Sequence, residues 1–178
     1  MPLQTQLEAK THATFDALMW AFAHPGRVQA LQLEPDENAF FRIAQALLDL
    51  ETSAWTNDAA LEPQLCVLGA KMKSLKEADY VFCANTPVSD LLHVIKRGSP
   101  VAPETSATLV VSAALEIGRL VRLTGAGIQS SLELQIDVPP EFWQTREQIM
   151  SYPIGWDLLL TNGSSLVGIP RTTRIEVL

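Results

Sequence analysis

Apolar side chains recur along this chain in two rhythms, one helical and one alternating. Leu7, Phe15, Leu18, Met19 and Phe22 fall at helical spacing, and the breaker run His24-Pro25-Gly26-Arg27 stops them. The pattern predicts an amphipathic first helix ending near Ala23. Val28 to Leu33 reads as a short strand. Pro35-Asp36 opens a second helix, with Asp36 as its N-cap and Phe40, Ile43, Ala44, Leu47 and Leu48 as its buried stripe. Glu51 to Trp55 ends that helix and turns into a short strand. Pro63 to Lys76 predicts a third helix, with Leu65, Leu68 and Met72 inward and Lys71, Lys73 and Lys76 outward. Ala78 to Ala84 has the β-rich content of a buried strand. Thr86-Pro87 is an N-cap followed by proline, starting a helix through Lys96 that Gly98 closes.

The second half is richer in strands. Ala107 to Ala113 is one, and Gly118 to Leu123 and Leu132, Leu134, Ile136 alternate as half-buried ones do. Pro139-Pro140 starts a last helix, Glu141 to Met150. From Tyr152 to Val177 the chain reads as an irregular lead-in, a buried strand, a tight turn, a returning strand and a polar run. Asn162-Gly163 is the two-residue signal of a type I′ hairpin between Asp157–Leu160 and Leu166–Ile169. Pro170 cannot donate to a ladder, so the chain lies at an edge or leaves the sheet there. Helices interspersed with strands, some joined too closely to be parallel, predict an α/β layer structure with a mixed sheet in one domain, residues 1–178.

Composition narrows the partners. Thirteen basic against twenty acidic side chains give a net charge of −7, which argues against broad nucleic-acid or membrane binding. No apolar run reaches the length of a membrane span, and the N-terminal residues carry no secretory pattern. The two cysteines, Cys66 and Cys83, read as small reduced core residues, and the expected compartment is the cytoplasm.

Candidate chemistry sits in two places. Thr124-Gly125-Ala126-Gly127-Ile128 follows a strand but precedes another, whereas a dinucleotide fingerprint must open a helix. It is either a glycine turn or an anion-binding nest. Arg171-Thr172-Thr173-Arg174 has the forked cations and hydroxyls that grip a phosphate or phosphonate. Its bland alternative is a solvated edge with Ile175 and Val177 inward. His12, His24 and His93 show no metal spacing, and His24 beside Pro25-Gly26 suits a helix C-cap. Lys10, Lys71, Lys73, Lys76 and Lys96 each fall on the polar side or end of a predicted helix, so none suits a pyridoxal phosphate Schiff base. Of the four tryptophans, Trp156 between Gly155 and Asp157 is the candidate pocket wall.

With FDALMWAFAHPGR, SPVAPETSATLVV, GRLVRLTGAGI, YPIGWDLLLTNG and GIPRTTRIEV in place, the chain resembles the PhnH family of the bacterial carbon–phosphorus lyase machinery. The span from Glu34 to Ala84 carries the resemblance poorly. The resemblance implies a three-layer α/β/α sandwich similar to the large domain of the pyridoxal-phosphate-dependent transferases, without that cofactor. It implies a homodimer that joins PhnG, PhnI and PhnJ in a complex transferring a phosphonate onto the ribose of a purine nucleoside triphosphate. The chain is then a required accessory subunit with no chemical step of its own assigned. Thr124, Gly125, Gly127, Arg171, Thr172, Thr173 and Arg174 form its candidate anion-facing or partner-facing patch. Two alternatives stand beside it: a stand-alone enzyme or binding protein for a phosphorylated small molecule, and a purely structural dimer.

Overall fold

The longest helix, α1 (Leu3–Ala23), opens the computed structural model, which describes residues 3–178, with side chains from residue 7 onward. After it come β1 (Gln29–Ala30), α2 (Ala39–Leu47), β2 (Ser53–Thr56), α3 (Glu62–Val67), β3 (Lys71–Met72), β4 (Tyr80–Cys83) and α4 (Ser89–Val94). The second half holds β5 (Thr108–Ser112), β6 (Leu115–Thr124), β7 (Leu132–Ile136), α5 (Pro140–Ile149), β8 (Asp157–Asn162), β9 (Ser165–Ile169) and β10 (Arg174–Val177).

Seven strands form one mixed sheet in the order β1-β9-β8-β5-β4-β2-β3. Pairing is parallel from β8 through β3 and antiparallel on both sides of β9, so β9 alone runs against the other six. The sheet therefore has a defined carboxyl edge and a defined amino edge. A second sheet, β10-β6-β7, is antiparallel throughout.

Period-two alternation splits each central strand between two cores. Phe82, Val110, Leu159 and Leu166 meet Leu18 and Ala21 of α1 and Phe40 and Ile43 of α2. Val81, Leu109, Val111, Leu158, Leu160 and Val167 face the other way. There they meet Leu92 of α4, Phe142 and Trp143 of α5, and Val121, Leu123, Ile136 and Ile175 of the small sheet. The fold is thus α/β with a mixed sheet, but the second flank is part helix and part sheet rather than a purely helical layer.

Gly168 in β9 marks where α1 lies closest. A Cβ built there would stand 2.6 Å from the Ala21 carbonyl carbon and 3.0 Å from the Phe22 nitrogen. Only a residue without a side chain lets helix and strand backbones approach so far.

Several local expectations give way to tertiary contacts. Leu7, Phe15 and Met19 of α1 point outward, while Leu18, Ala21 and Thr14 are buried. The N-cap of α2 is Asn38, whose Oδ1 accepts from the Phe40 amide at 2.8 Å, whereas Asp36 takes a left-handed turn at φ 62°. The long third helix breaks after Val67. Lys71 and Lys73 donate their amides to Thr52 and Ala54 of the β2 segment, so the expected helical lysines belong to an edge strand and its exit. A strand partner outbids weak helix propensity there. The helix α4 begins at Ser89, not at Thr86-Pro87. In the C-terminal hairpin Asn162 pairs with Ser165, so the turn residues are Gly163-Ser164, one position later than expected. Gly163 alone has φ > 0 there, which is the glycine-first pattern of a type II′ turn rather than type I′.

Candidate functional site

The two sequence candidates meet in space. Strand β10 pairs antiparallel with β6, placing Arg174 opposite Thr124. The Thr124–Ile128 loop then folds over the turn Pro170–Thr173. A Cβ on Gly125 (φ 134°) would lie 2.8 Å from the Thr172 carbonyl oxygen, and one on Gly127 (φ 81°) 2.7 Å from that of Ala23. The segment is the turn of the β6–β7 hairpin, and its glycines admit close backbone approach. Beside it an open pocket of about 470 Å³ is lined by Phe22, Ala126, Gly127, Asp157, Pro170 and Thr172.

The arginines of this patch are spoken for. Arg171 donates from its guanidinium to Asp157 Oδ2 at 2.9 Å and from its amide to Asp157 Oδ1 at 2.8 Å. It also reaches the Pro103 carbonyl. It is a clamp joining the start of β8, the turn after β9 and the short 3-10 turn Pro103–Thr105. Arg174 is exposed, 3.7 Å from Glu147, with Ile175 buried and Glu176 exposed after it, as the solvated-edge alternative has it. Thr173 is fully buried and its hydroxyl has no partner. Thr172 is half-buried at the pocket, and Thr124 is half-buried at the end of β6.

Beneath the patch lies a residue the sequence pattern concealed. Arg146 of α5 is completely buried. It donates to the carbonyls of Pro170 at 2.9 Å and Thr173 at 3.0 Å, and to Glu147 Oε1 at 2.9 Å. Its guanidinium also sits 5.8 Å from the Trp156 ring centroid. Burial pulls its pKa down to about 10, with Glu147 and Asp157 opposing, so it stays cationic at neutral pH. Arg146 thereby fixes the backbone of the very turn that carries Thr172. The one available signal was an arginine where α5 should place an inward side chain, four positions after Phe142. Trp156 is fully buried in this core, not a pocket wall.

All of this lies at the amino edge of the sheet. Open α/β sheets bind ligands outside the carboxyl ends of their strands, where strand order reverses. Here that edge holds a second crevice, of about 230 Å³, among residues at or just past the ends of β2, β4, β5 and β8, with Asp58, Ala84, Ser112 and Thr161 in its lining. The N-terminus of α2 closes it with Glu37, Asn38 and Phe40. Glu37 accepts from the Glu34 amide at 2.9 Å and pairs at 2.5 Å with Arg42, itself buried. Burial raises the Glu37 pKa, but Arg42 and the Glu34 amide outweigh it and hold the carboxyl below its ordinary value. Glu37 and Asp58 are the acidic side chains of the crevice lining, and Glu37 is neutralised by Arg42. Only the strand order could have revealed this crevice.

The remaining candidates disperse. His24 sits after α1, stacked on Trp20 at 4.3 Å, and its Nδ1 lies 3.2 Å from the Trp20 carbonyl, as a C-cap should. His12 and His93 are exposed, and among the described residues no group of three His, Cys, Asp or Glu could hold a metal ion. Cys83 is buried, its thiol pushed up to about 12 by burial, but Cys66 is exposed on α3 rather than in the core. No lysine is buried: Lys71, Lys73 and Lys76 are exposed, and Lys10 and Lys96 are half-buried in ion pairs with Glu34 and Asp79. Among the described residues no helix is long and apolar enough to cross a membrane.

The family described as bacterial phosphonate metabolism protein (PhnH) matches residues 4–176. The chain is 32% identical over 173 residues to HtxG of Stutzerimonas stutzeri, which carries the name of a C–P lyase subunit protein, covering 94% of this chain and 87% of that one. It is 28% identical over 183 residues to the alpha-D-ribose 1-methylphosphonate 5-triphosphate synthase subunit PhnH of Rhizobium meliloti, covering 94% and 90%. The match includes the span Glu34–Ala84 that carries the sequence resemblance poorly, and which builds α2, β2, α3, β3 and β4 of the central sheet.

Proposed function

The chain belongs to the PhnH family, and from that membership we propose that it is an accessory subunit of a carbon–phosphorus lyase complex in phosphonate catabolism. In this reading it supports transfer of a phosphonate to the ribose of a purine nucleoside triphosphate without performing a chemical step. The observation that carries it is the family match across almost the whole chain, alongside relatives named as subunits. The engaged arginines of the amino-edge patch add weight, since Arg171 is a structural clamp and Arg174 faces Glu147.

The proposal includes a homodimer joined to PhnG, PhnI and PhnJ, located in the cytoplasm. The outer face of α1 is the surface we assign to subunit contact. Phe15, Met19 and Trp20 stand there 45, 53 and 57% exposed, and an apolar pocket of about 210 Å³ opens between Met19, Trp20, Ala23 and His24. Large apolar side chains clustered on one helix face mark an interface more often than solvent. Kinship with the large domain of the pyridoxal-phosphate-dependent transferases belongs to the same reading, supported by the seven-stranded mixed sheet with helices on both sides. So does the lack of the cofactor, supported by five lysines of which none is buried.

Co-expression of this chain with PhnG, PhnI and PhnJ, followed by mass determination of what co-purifies, tests the assembly. A stoichiometric complex of all four is the expected result. A bare homodimer would overturn the subunit reading.

A further inference from the structure

We infer that the turn between β6 and β7, together with the loop that follows α1, forms a binding site for one tetrahedral oxyanion, a phosphate or phosphonate group, with Arg27 as its cation. A pocket of about 180 Å³ lies between these two loops, lined by Pro25, Arg27, Gly127, Gln129, Ser130 and Ser131 among others. That is about six times one water's share of liquid volume. No carboxylate lines it, in contrast to the crevice at Glu37 and Asp58 and the pocket at Asp157.

Arg27 is exposed and, like Arg97 and Arg119, has no acidic partner among the described residues, whereas Arg42, Arg122, Arg146, Arg171 and Arg174 all have one. Of the three unpaired arginines only Arg27 lines this pocket. The side chains of Gln129, Ser130 and Ser131 make no hydrogen bond within the described protein, and neither do their backbone amides with other backbone. A guanidinium fork, two hydroxyls and free amides in a turn are the donors that tetrahedral oxyanions accept from. The two loops are also held in register. Gly127 packs against Ala23 and Pro25 so closely that a Cβ would lie 2.7 Å from each, and the Gly26 amide donates to the Gly168 carbonyl at 3.1 Å. The backbones of the two loops are therefore held in place before any ligand arrives, which lowers the cost of binding. The site goes beyond the subunit reading, because it assigns a ligand to the chain by itself.

Titration of the isolated full chain with inorganic phosphate, methylphosphonate or tripolyphosphate, followed through backbone amide NMR shifts, tests it. Saturable shifts at Gly127, Ser130 and Ser131 are expected, with chloride at matched ionic strength producing none. Arg27→Gln weakens the binding about tenfold or more, as loss of a charged hydrogen bond does, while Arg174→Gln leaves it unchanged. Saturation by methylphosphonate ahead of the other two identifies a phosphonate as the source, and by tripolyphosphate a nucleotide-type chain. The site is overturned by absent shifts up to about 10 mM, well above a weak millimolar Kd, or by an Arg27→Gln protein whose spectrum is native and whose binding equals the parent's. Neither result touches the co-purification outcome, so the two readings fail separately.

Discussion

Arg146 shows how one side chain can hold a functional surface without being part of it. Its three hydrogen bonds and its position beside Trp156 organise the Pro170–Thr173 turn from below. Replacing it with alanine leaves the Pro170 and Thr173 carbonyls without their guanidinium donor and removes the buried cation beside Glu147. The expected loss is about 3 kcal/mol of stability, read as a lower urea midpoint. A second residue-scale expectation concerns acid. Burial works to raise the Asp79 pKa, but Lys96 and Ser53 outweigh it, and the folded value lies below the ordinary 3.8. A carboxyl depressed on folding stabilises the protein above its unfolded pKa, and that contribution is lost as pH falls through the folded value. Asp79→Asn should therefore be less stable than the parent at neutral pH, with the gap closing as pH drops below 3.8. Urea midpoints measured across that range check the sign.

At the scale of elements, the contact between α1 and β9 is the tightest test of the packing. Gly168→Ala places a methyl group against the α1 backbone and should cost about 1–3 kcal/mol by overpacking. Gly163→Ala offers the contrast. Nothing lies within 4 Å of its Cβ, so only the left-handed backbone at φ 55° is penalised, about 1 kcal/mol. Thermal unfolding of the two variants side by side separates steric from conformational cost. The reassignment of Lys71–Met72 from helix to strand belongs to this scale too. Residues 63–76 have a helical pattern, yet β2 offers a parallel partner whose hydrogen bonds a pattern read in isolation cannot see.

For the whole molecule, the question is which surfaces are left over once the two cores are closed. The outer face of α1 is one. Trp20→Glu should leave the fold within about 0.5 kcal/mol of the parent, as exposed substitutions do, while abolishing self-association in sedimentation experiments and recovery of the assembly on co-expression. The amino edge of the sheet is another, where the glycine turn, the Arg171 clamp and the Arg27 pocket lie side by side. The carboxyl edge is the third, with the crevice at the N-terminus of α2.

Much of this was legible in the sequence because it depends on neighbours in the chain. The end of α1 at His24-Pro25-Gly26, the doubly buried Asp157–Leu160 strand, the alternation in β6 and β7, and departure from the sheet at Pro170 follow from spacing and backbone chemistry alone. The glycine turn and the arginine–threonine run were visible as separate segments. That they meet depended on β10 pairing with β6 across some fifty residues of chain. Which arginines are paired was equally out of reach. Arg171 and Arg174 have the cation-rich pattern, but Asp157, Glu147 and the Pro103 carbonyl reach them from distant elements. Arg27 lines a pocket that no acidic side chain enters among the described residues. Periodicity determines which face of an element is buried; long-range pairing alone decides which charges are neutralised and which remain to bind.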